Sequence, residues 1–533
     1  MSTTEKATAP TVPDYPQTLG HPRPLWMLFM TEFWERFAFY GMRWALALYI
    51  VAEFFHGDPA GQGFASRTYG AYLALVYAAA VFGGYVADRI IGYQRSILVG
   101  AVVMAAGLFM IMLPDERIFL LGLSTVIVGN GLFKPNISSM VGRLYSVGDA
   151  RRDRGFTLFY MGINAGALVS PLVTGWLASH FTDMPMQQNY KAVFLASGVG
   201  MLVSLVWFWI GRRQLGPVGR PAPEQAGRLR VVYVFLGCVL AIPLVFFMLG
   251  GGFSELVARA LLDMGAIKPT VIDGAINYEK TLPAATVRAW VLGVLFVGLS
   301  ALLLVEGFRE GKVQRDRVFA MLIIFVFNVL FWMFYEQAGS SFNFLAQNIV
   351  DREMFGGWVF PVGWFQSVAP LSLVLLAPFV SLAWGWLDKR RMEPSIPRKF
   401  GLGLIGNALA FVVLMYALSE LVDSRHLIPF WPLVMVYVLQ TLGELCLSPI
   451  GLSMVTKLAP VRLVGFAMGG WFLSTGIGNN LSGIFAGHVS GETGMTVASA
   501  LSGFTFSFWL LAGAGVLLFV IAPLINRLMH GVK

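Results

Sequence analysis

Thr31-Glu32-Phe33-Trp34-Glu35-Arg36-Phe37-Ala38-Phe39-Tyr40-Gly41-Met42-Arg43 places four charged residues, Glu32, Glu35, Arg36 and Arg43, inside an apolar run covering residues 25–54. A run of that length spans the hydrocarbon of a bilayer as a helix, because only a helix satisfies its own backbone where there is no water. Positions 32, 35, 36, 39, 40 and 43 are separated by three- and four-residue steps, so they form one stripe on that helix. A charge at mid-membrane costs about 2.5–3.5 kcal/mol on insertion scales. The stripe must therefore face protein or a water-filled cavity. Ion pairs that merely fix helix packing are the alternative reading, but membranes offer cheaper packing devices.

Outward from this helix, apolar runs recur to the end of the chain. Spans are predicted at 25–54, 66–90, 96–114, 117–144, 155–178, 190–211, 229–250, 288–308, 318–340, 362–387, 400–421, 427–456, 462–486 and 503–529, about fourteen in all. The 533 residues are 57% hydrophobic and only 13% charged, with a mean hydropathy of +0.69. A soluble domain is closer to half apolar and a quarter charged. The sequence thus predicts an all-α integral membrane protein. Cys238 and Cys446 both lie in apolar runs, which argues against a disulfide framework or a metal site. Residues 1–24 are polar and proline-rich with no apolar core, and are expected to form a cytoplasmic tail rather than a signal peptide.

The formal charge of +9 sits in short segments between the runs, which suits membrane topology rather than nucleic-acid binding. Basic clusters follow the fourth span (Arg143, Arg151, Arg152, Arg154), the sixth (Arg212, Arg213, Arg220, Arg228, Arg230), the eighth (Arg309, Lys312, Arg315, Arg317) and the tenth (Lys389, Arg390, Arg391, Arg398, Lys399). The alternate segments 55–65 and 179–189 are poor in Lys and Arg. The positive-inside rule then puts both termini in the cytoplasm. The expected organisation is a six-helix bundle over 25–212, a linker and inserted two-helix hairpin over 213–317, and a second six-helix bundle over 318–533. Segment 251–287, inside the hairpin, is more polar and carries no obvious chemistry.

Three further charges stand inside spans. Lys134 lies in Phe133-Lys134-Pro135-Asn136, Glu336 in Tyr335-Glu336-Gln337, and Glu444 in Gly443-Glu444-Leu445. Asn328, Trp332 and Glu336 repeat at four-residue steps along one face, as do Gln440, Glu444 and Ser448. A helix-to-helix hydrogen bond is the plain reading for either glutamate. The functional reading notes that the first half supplies Arg36, Arg43 and Lys134 while the second supplies Glu336 and Glu444. A cavity between the halves would be positive on one side and negative on the other, matching a small zwitterion. Asp88 and Arg89, at the end of span two, read either as a topology determinant beside Gly92 or as a latch. No His/Cys/Asp cluster, nucleophile elbow or phosphate loop supports an enzyme.

Along nearly its whole length the chain resembles the proton-dependent oligopeptide transporters, a branch of the major facilitator fold. The resemblance is carried by Glu32-x-x-Glu35-Arg36-Phe37-x-Phe39-Tyr40-Gly41, by Gly83-Gly84-Tyr85-Val86-Ala87-Asp88-Arg89-Ile90-Ile91-Gly92, and by Phe159-Tyr160-Met161-Gly162-Ile163-Asn164-Ala165-Gly166. The strings at 133–136, 332–337 and 444–449 also agree. It implies proton-coupled import of di- and tripeptides by alternating access, in the cell inner membrane. It implies no cofactor beyond the proton gradient, no metal, no nucleic acid and no obligate protein partner, with lipid as the surroundings. A related carrier of drugs or other small anions and zwitterions is the alternative.

By the same resemblance, Glu32, Glu35, Arg36 and Lys134 are the expected proton-coupling cluster. Arg36, Arg43 and Lys134 are expected to receive the peptide carboxyl terminus, and Glu444 the amino terminus. Tyr40, Tyr77, Asn164, Trp332 and Trp471 would line the pocket. From position alone, Arg43, about two turns from Arg36, would pair with Glu336 near the outer end of span nine as a gate, and Asp88 with Arg89 would be a latch between helices if not a topology determinant. Phe39 stands where many members have tyrosine, and Ala369 where asparagine is common. Span two also lacks the histidine that animal members use, so coupling is expected to rest on carboxylates.

Overall fold

The structure, a computed structural model, describes residues 13–146, 149, 151–182, 188–223, 227–272 and 274–532. It is built of helices, with two 2-residue strand pairs, β1 (Gln17–Thr18) with β2 (His21–Pro22) and β3 (Val271–Ile272) with β4 (Ala275–Ile276). The first six spans are α1 (Arg23–Phe54), α2 (Gln62–Val86), α3 (Tyr93–Met110), α4 (Glu116–Gly142), α5 (Arg151–His180) and α6 (Tyr190–Gly211). Then come α7 (Arg228–Leu249), the short α8 (Gly252–Asp263), the single turn α9 (Tyr278–Thr281) and α10 (Ala284–Glu310). The remainder are α11 (Lys312–Tyr335), α12 (Ser341–Asn348), α13 (Val368–Lys389), α14 (Ile396–Glu420), α15 (Trp431–Leu445), α16 (Ser448–Leu458), α17 (Val464–Ser490) and α18 (Val497–Leu528).

Thirteen of the described helical spans are long and apolar enough to cross a membrane. The fourteenth span expected from the sequence corresponds to α17, which carries Ser474, Thr475, Asn479, Asn480 and Ser482. Those polar residues are buried among other helices rather than set toward lipid. Of the expected tail, residues 1–12 lie outside the described residues. From Pro13 onward the chain docks onto the helix ends. Tyr15 Oη donates to the Leu215 carbonyl at 2.8 Å, and His21 Nδ1 lies 2.8 Å from Tyr145 Oη.

Two spans that read as continuous are broken. Span nine stops being α-helical at Tyr335 and passes through a 3-10 turn, Glu336–Gly339, into α12. The expected span 427–456 divides between α15 and α16 at Cys446–Leu447. There Pro449, which has no N–H to donate, occupies the first turn of the new helix. Irregular backbone at membrane depth is tolerated where it lines a cavity, and both breaks border the cavity described below.

α1 packs on α5 and α6, α3 on α4 and α6, and α2 on α4. In the second half α14 packs on α15 and α18, α11 on α17, and α13 on α15. The halves meet along α2 and α17, and along α5 against α13 and the 3-10 turn Val362–Ser367. α7 lies on α4 while α10 lies on α11 and α17, so the inserted pair straddles a seam between the halves. Arg288 of α10, buried, donates to the Met248 and Leu249 carbonyls at 3.1 and 3.3 Å and ties the end of α7 to the start of α10.

The α2–α17 seam is closed tightly toward the start of α2 and loosely toward its end. Residues 62–76 of α2 are almost all buried, whereas Val81, Phe82 and Tyr85 are exposed. In the tight half the backbones touch. A Cβ on Gly70 would lie 2.6 Å from the Asn479 carbonyl oxygen and 2.7 Å from Gly483 Cα. Gly70→Val should therefore lower stability by about 1–3 kcal/mol through overpacking, read as thermal unfolding in detergent. Gly84→Ala, where an added Cβ meets nothing within 4 Å, should not destabilise. Equal stability of parent and Gly70→Val would contradict the packing account.

Candidate functional site

The stripe on α1 is buried: Glu32, Glu35 and Arg36 are 1%, 0% and 2% exposed. Arg36 is held by both carboxylates. Its Nε and Nη2 donate to the two oxygens of Glu35, and Glu32 Oε1 is 3.4 Å from Nε. Asn130, one turn before Lys134 on α4, donates Nδ2 to Glu35 Oε1 at 3.3 Å. Glu32 Oε2 is buried with no protein hydrogen-bond partner. Phe39 places its ring 4.7 Å from the Arg36 guanidinium carbon. The ring thus meets the cation with its face.

About two turns along α1, Arg43 turns to the other half. Its Nη2 pairs with the Glu336 carboxylate, and its Nε donates to Tyr69 Oη at 2.7 Å. Glu336 opens the 3-10 turn after α11, and Gly339 in that turn has no room for a Cβ, which would lie 1.8 Å from Tyr69 Oη. The glycine lets the phenol of α2 reach the ion pair. The tight half of the α2–α17 seam and this pair close the same end of the molecule.

Beneath it is a cavity of about 320 Å³, within the size range of small-ligand sites. From the first half it is lined by Arg36, Tyr40, Arg43, Tyr77, Lys134, Tyr160 and Asn164. From the second come Trp332, Tyr335, Glu336, Gln366, Ala369, Gln440, Glu444, Ser448, Trp471 and Thr475. Lys134 Nζ lies 5.2 Å from the centre of the Tyr77 ring and has no ion-pair partner among the described residues. Glu444 also has none; its carboxylate accepts a hydrogen bond from Tyr335 Oη at 2.5 Å. Arg36 and Arg43, by contrast, are each neutralised by glutamate. One cation and one anion, set on opposite halves, are thus left without an ionic partner.

The remaining expected residues fall in two groups, those in the cavity wall and those outside it. Trp332 lines the cavity and donates Nε1 to Asn328 Oδ1 at 3.0 Å, while Asn328 bonds Ser474 and Thr475 of α17. Asn164 lines it with its Nδ2 turned to the Tyr160 carbonyl. Trp471 reaches it while lying flush on α16, where a Cβ on Gly451 would be 2.1 Å from the indole. Gln440, Glu444 and Ser448 all line the cavity although the helix breaks between the last two. Asp88 and Arg89 are not in the cavity wall. They sit on the π turn Ala87–Ile91, where Asp88 accepts from Tyr93 Oη and lies 3.7 Å from Arg143, both in the first half.

Sequence reasoning missed Asn130, Tyr69 and Tyr335. Each carried a faint signal. Asn130 is four residues before Lys134, Tyr69 is eight before Tyr77 on the same face of α2, and Tyr335 adjoins Glu336.

Two six-span sets around a central cavity, with charges turned inward, define a membrane transporter of the major facilitator type. The POT family model matches residues 94–500, and the chain belongs to that family of transporters; it is not an enzyme. A peptide transporter of Yersinia enterocolitica is 36% identical over 535 residues, 96% of each chain. Dipeptide and tripeptide permease B of Salmonella typhimurium is 33% identical over 471 residues, 88% of this chain and 87% of that one. Among solved structures, a peptide transporter POT in complex with sulfate has a TM-score of 0.77 at 32% identity, covering 97% of both chains. A POT family transporter in complex with 5-aminolevulinic acid has a TM-score of 0.75 at 29% identity, covering 96% of this chain and 98% of that one.

Breaking one partner of a buried ion pair costs about 3–5 kcal/mol, mostly through the charge left behind. Arg43→Ala and Glu336→Gln should each impair transport strongly. The double variant should be less impaired than the sum of the two, measured as uptake rates in a double-mutant cycle. Additive losses would mean that the pair is not a functional unit.

Proposed function

We propose that this chain imports di- and tripeptides with protons across the cell inner membrane by alternating access, both termini lying in the cytoplasm and no cofactor being needed. In this reading the sets 25–212 and 318–533 rock against each other, and 213–317 supplies the linker and the inserted pair. The observation that carries it is the pair of wall charges without ionic partners, Lys134 on one half and Glu444 on the other. A peptide with free ends offers a carboxylate to Lys134, with Arg36 and Arg43 near it, and an ammonium to Glu444. Tyr40, Tyr77, Asn164, Trp332 and Trp471 then surround the backbone between the ends. Main-chain length is bounded by the two charges, while side chains face the aromatic wall.

Proton coupling follows from charge balance. Glu32, Glu35, Arg36 and Lys134 carry two negative and two positive charges. Lys134 touches neither glutamate but offsets their net charge across the cavity; when a peptide carboxylate takes up that positive charge, the cluster is left one negative charge in excess, and a proton restores neutrality. Glu32, with one buried oxygen unbonded by protein, is the better placed to take it. Peptide and proton then favour the same state, and this is thermodynamic coupling. The Arg43–Glu336 pair, with Tyr69, holds the outer end shut while the cavity opens inward.

The test uses protein reconstituted in liposomes with labelled dialanine. Glu32→Gln and Glu35→Gln should lose accumulation driven by an imposed proton gradient and keep exchange of peptide for peptide. Concentrative uptake by both variants would overturn the coupling assignment. Glu444→Gln should weaken binding of free-amine dipeptides by roughly tenfold or more, since hydrogen bonds to charged groups are worth about 1.5–3 kcal/mol, and leave N-acetylated dipeptides nearly unaffected. A second reading, carriage of other small amino acids of the 5-aminolevulinic kind, has the complex of the related transporter behind it. It predicts that 5-aminolevulinic acid competes with dialanine at comparable concentration, whereas the peptide reading predicts that dialanine wins.

A further inference from the structure

The end of α11 carries two polar side chains in consecutive positions, and they reach in different directions. Glu336 goes to Arg43 on α1, whereas Tyr335 goes to Glu444 on α15. The helix ends between them, so both are held at the point where the backbone changes from α-helix to 3-10 turn. The Tyr335 ring cannot swing freely. It stacks on Phe331 at 5.4 Å with 23° between the planes, and meets Trp332 edge-on at 5.2 Å. Its hydroxyl donates to Oε2 of Glu444 at 2.5 Å, within the short range of hydrogen bonds to a carboxylate.

We infer that Tyr335 is a positioning residue for amine recognition: its clamped phenol fixes the Glu444 carboxylate so that the second oxygen is presented to the substrate's ammonium. The inference rests on the reading of Glu444 as the amine acceptor. A neutral phenol satisfies one oxygen but supplies no positive charge, so the carboxylate remains an anion in want of a cation. An ammonium completes it; a blocked, neutral amide does not. A buried charge that only the right ligand can compensate is the arrangement that rejects ligands lacking the group. A carboxylate free to rotate would lose part of this advantage, because binding would have to fix it first.

The experiment measures binding of dialanine and N-acetyl-dialanine to the full-length purified protein, for the parent, Tyr335→Phe, Glu444→Gln and the double variant. Phenylalanine keeps the ring and its stacking, so thermal unfolding checks that the fold is retained. Tyr335→Phe should weaken dialanine about tenfold, equal to about 1.4 kcal/mol, and leave N-acetyl-dialanine unchanged. In the Glu444→Gln background the same substitution should do nothing more. An equal loss for both ligands, no loss for either, or a loss that persists when Glu444 is already glutamine would overturn the positioning role. If Glu444→Gln itself leaves the preference for the free amine intact, the amine-site reading fails first, and that result is distinct from failure of Tyr335 alone.

Discussion

The cost of leaving a charge in hydrocarbon shapes this molecule more than any single contact. Each ionisable group on the inner faces must find water, a counter-charge or a hydrogen bond. Arg36 finds two glutamates, and Arg43 finds Glu336 together with the Tyr69 phenol. To let α1 present that stripe inward, α5 and α6 must cover its other sides. Gly166 has α1 backbone where a Cβ would be, 2.5 Å from the Phe33 carbonyl oxygen. Ser170 and Ser204 donate to the Phe37 and Thr31 carbonyls of α1 at 2.5 and 2.7 Å. The packing around α1 is thus a consequence of the charges it carries.

The same constraint accounts for how the two halves divide their tasks. Buried pairs are a weak source of stability, because desolvation offsets much of the attraction. Their value here is conditional. In the proposed alternating-access cycle a pair such as Arg43 with Glu336 would form only when the halves are close, and so would belong to one conformation and not to another. In that cycle the glycine contacts of the α2–α17 seam would be conditional in the same way. Backbone against backbone at Gly70 and Gly483 gives a close fit in one arrangement and leaves little to hold in its neighbours.

Much of this was legible in the sequence, for physical reasons. A polar stripe at three- and four-residue steps in an apolar run has one acceptable environment, so 32–43 declared both a helix and a cavity. Span count followed from length and hydropathy, and α17 was recognisable despite its asparagines because its apolar residues still reach across. What was not legible depends on depth and partner. The interruptions at Glu336 and Cys446 are set by what the backbone lines, although Ser448-Pro449 hinted at the second. Asn130, Tyr69 and Tyr335 are common residue types in ordinary positions, and only the fold shows what they touch. Asp88 was legible as a charge near a span end, but that it accepts from Tyr93 Oη and lies beside Arg143 on a neighbouring helix is shown only by the fold.

The neutrality of the closing pair bears on how membrane voltage can act. Arg43 and Glu336 sum to zero, so separating the halves there carries no net charge through the electric field. The Arg36 cluster with Lys134 likewise sums to zero, whereas Glu444 leaves the wall one negative charge that a zwitterion, itself neutral, does not cancel. A field of 100 mV works on each elementary charge with about 2.3 kcal/mol. In the proposed cycle that work falls on the single uncompensated charge of Glu444, and one proton bound to the Arg36 cluster brings the loaded wall to neutrality.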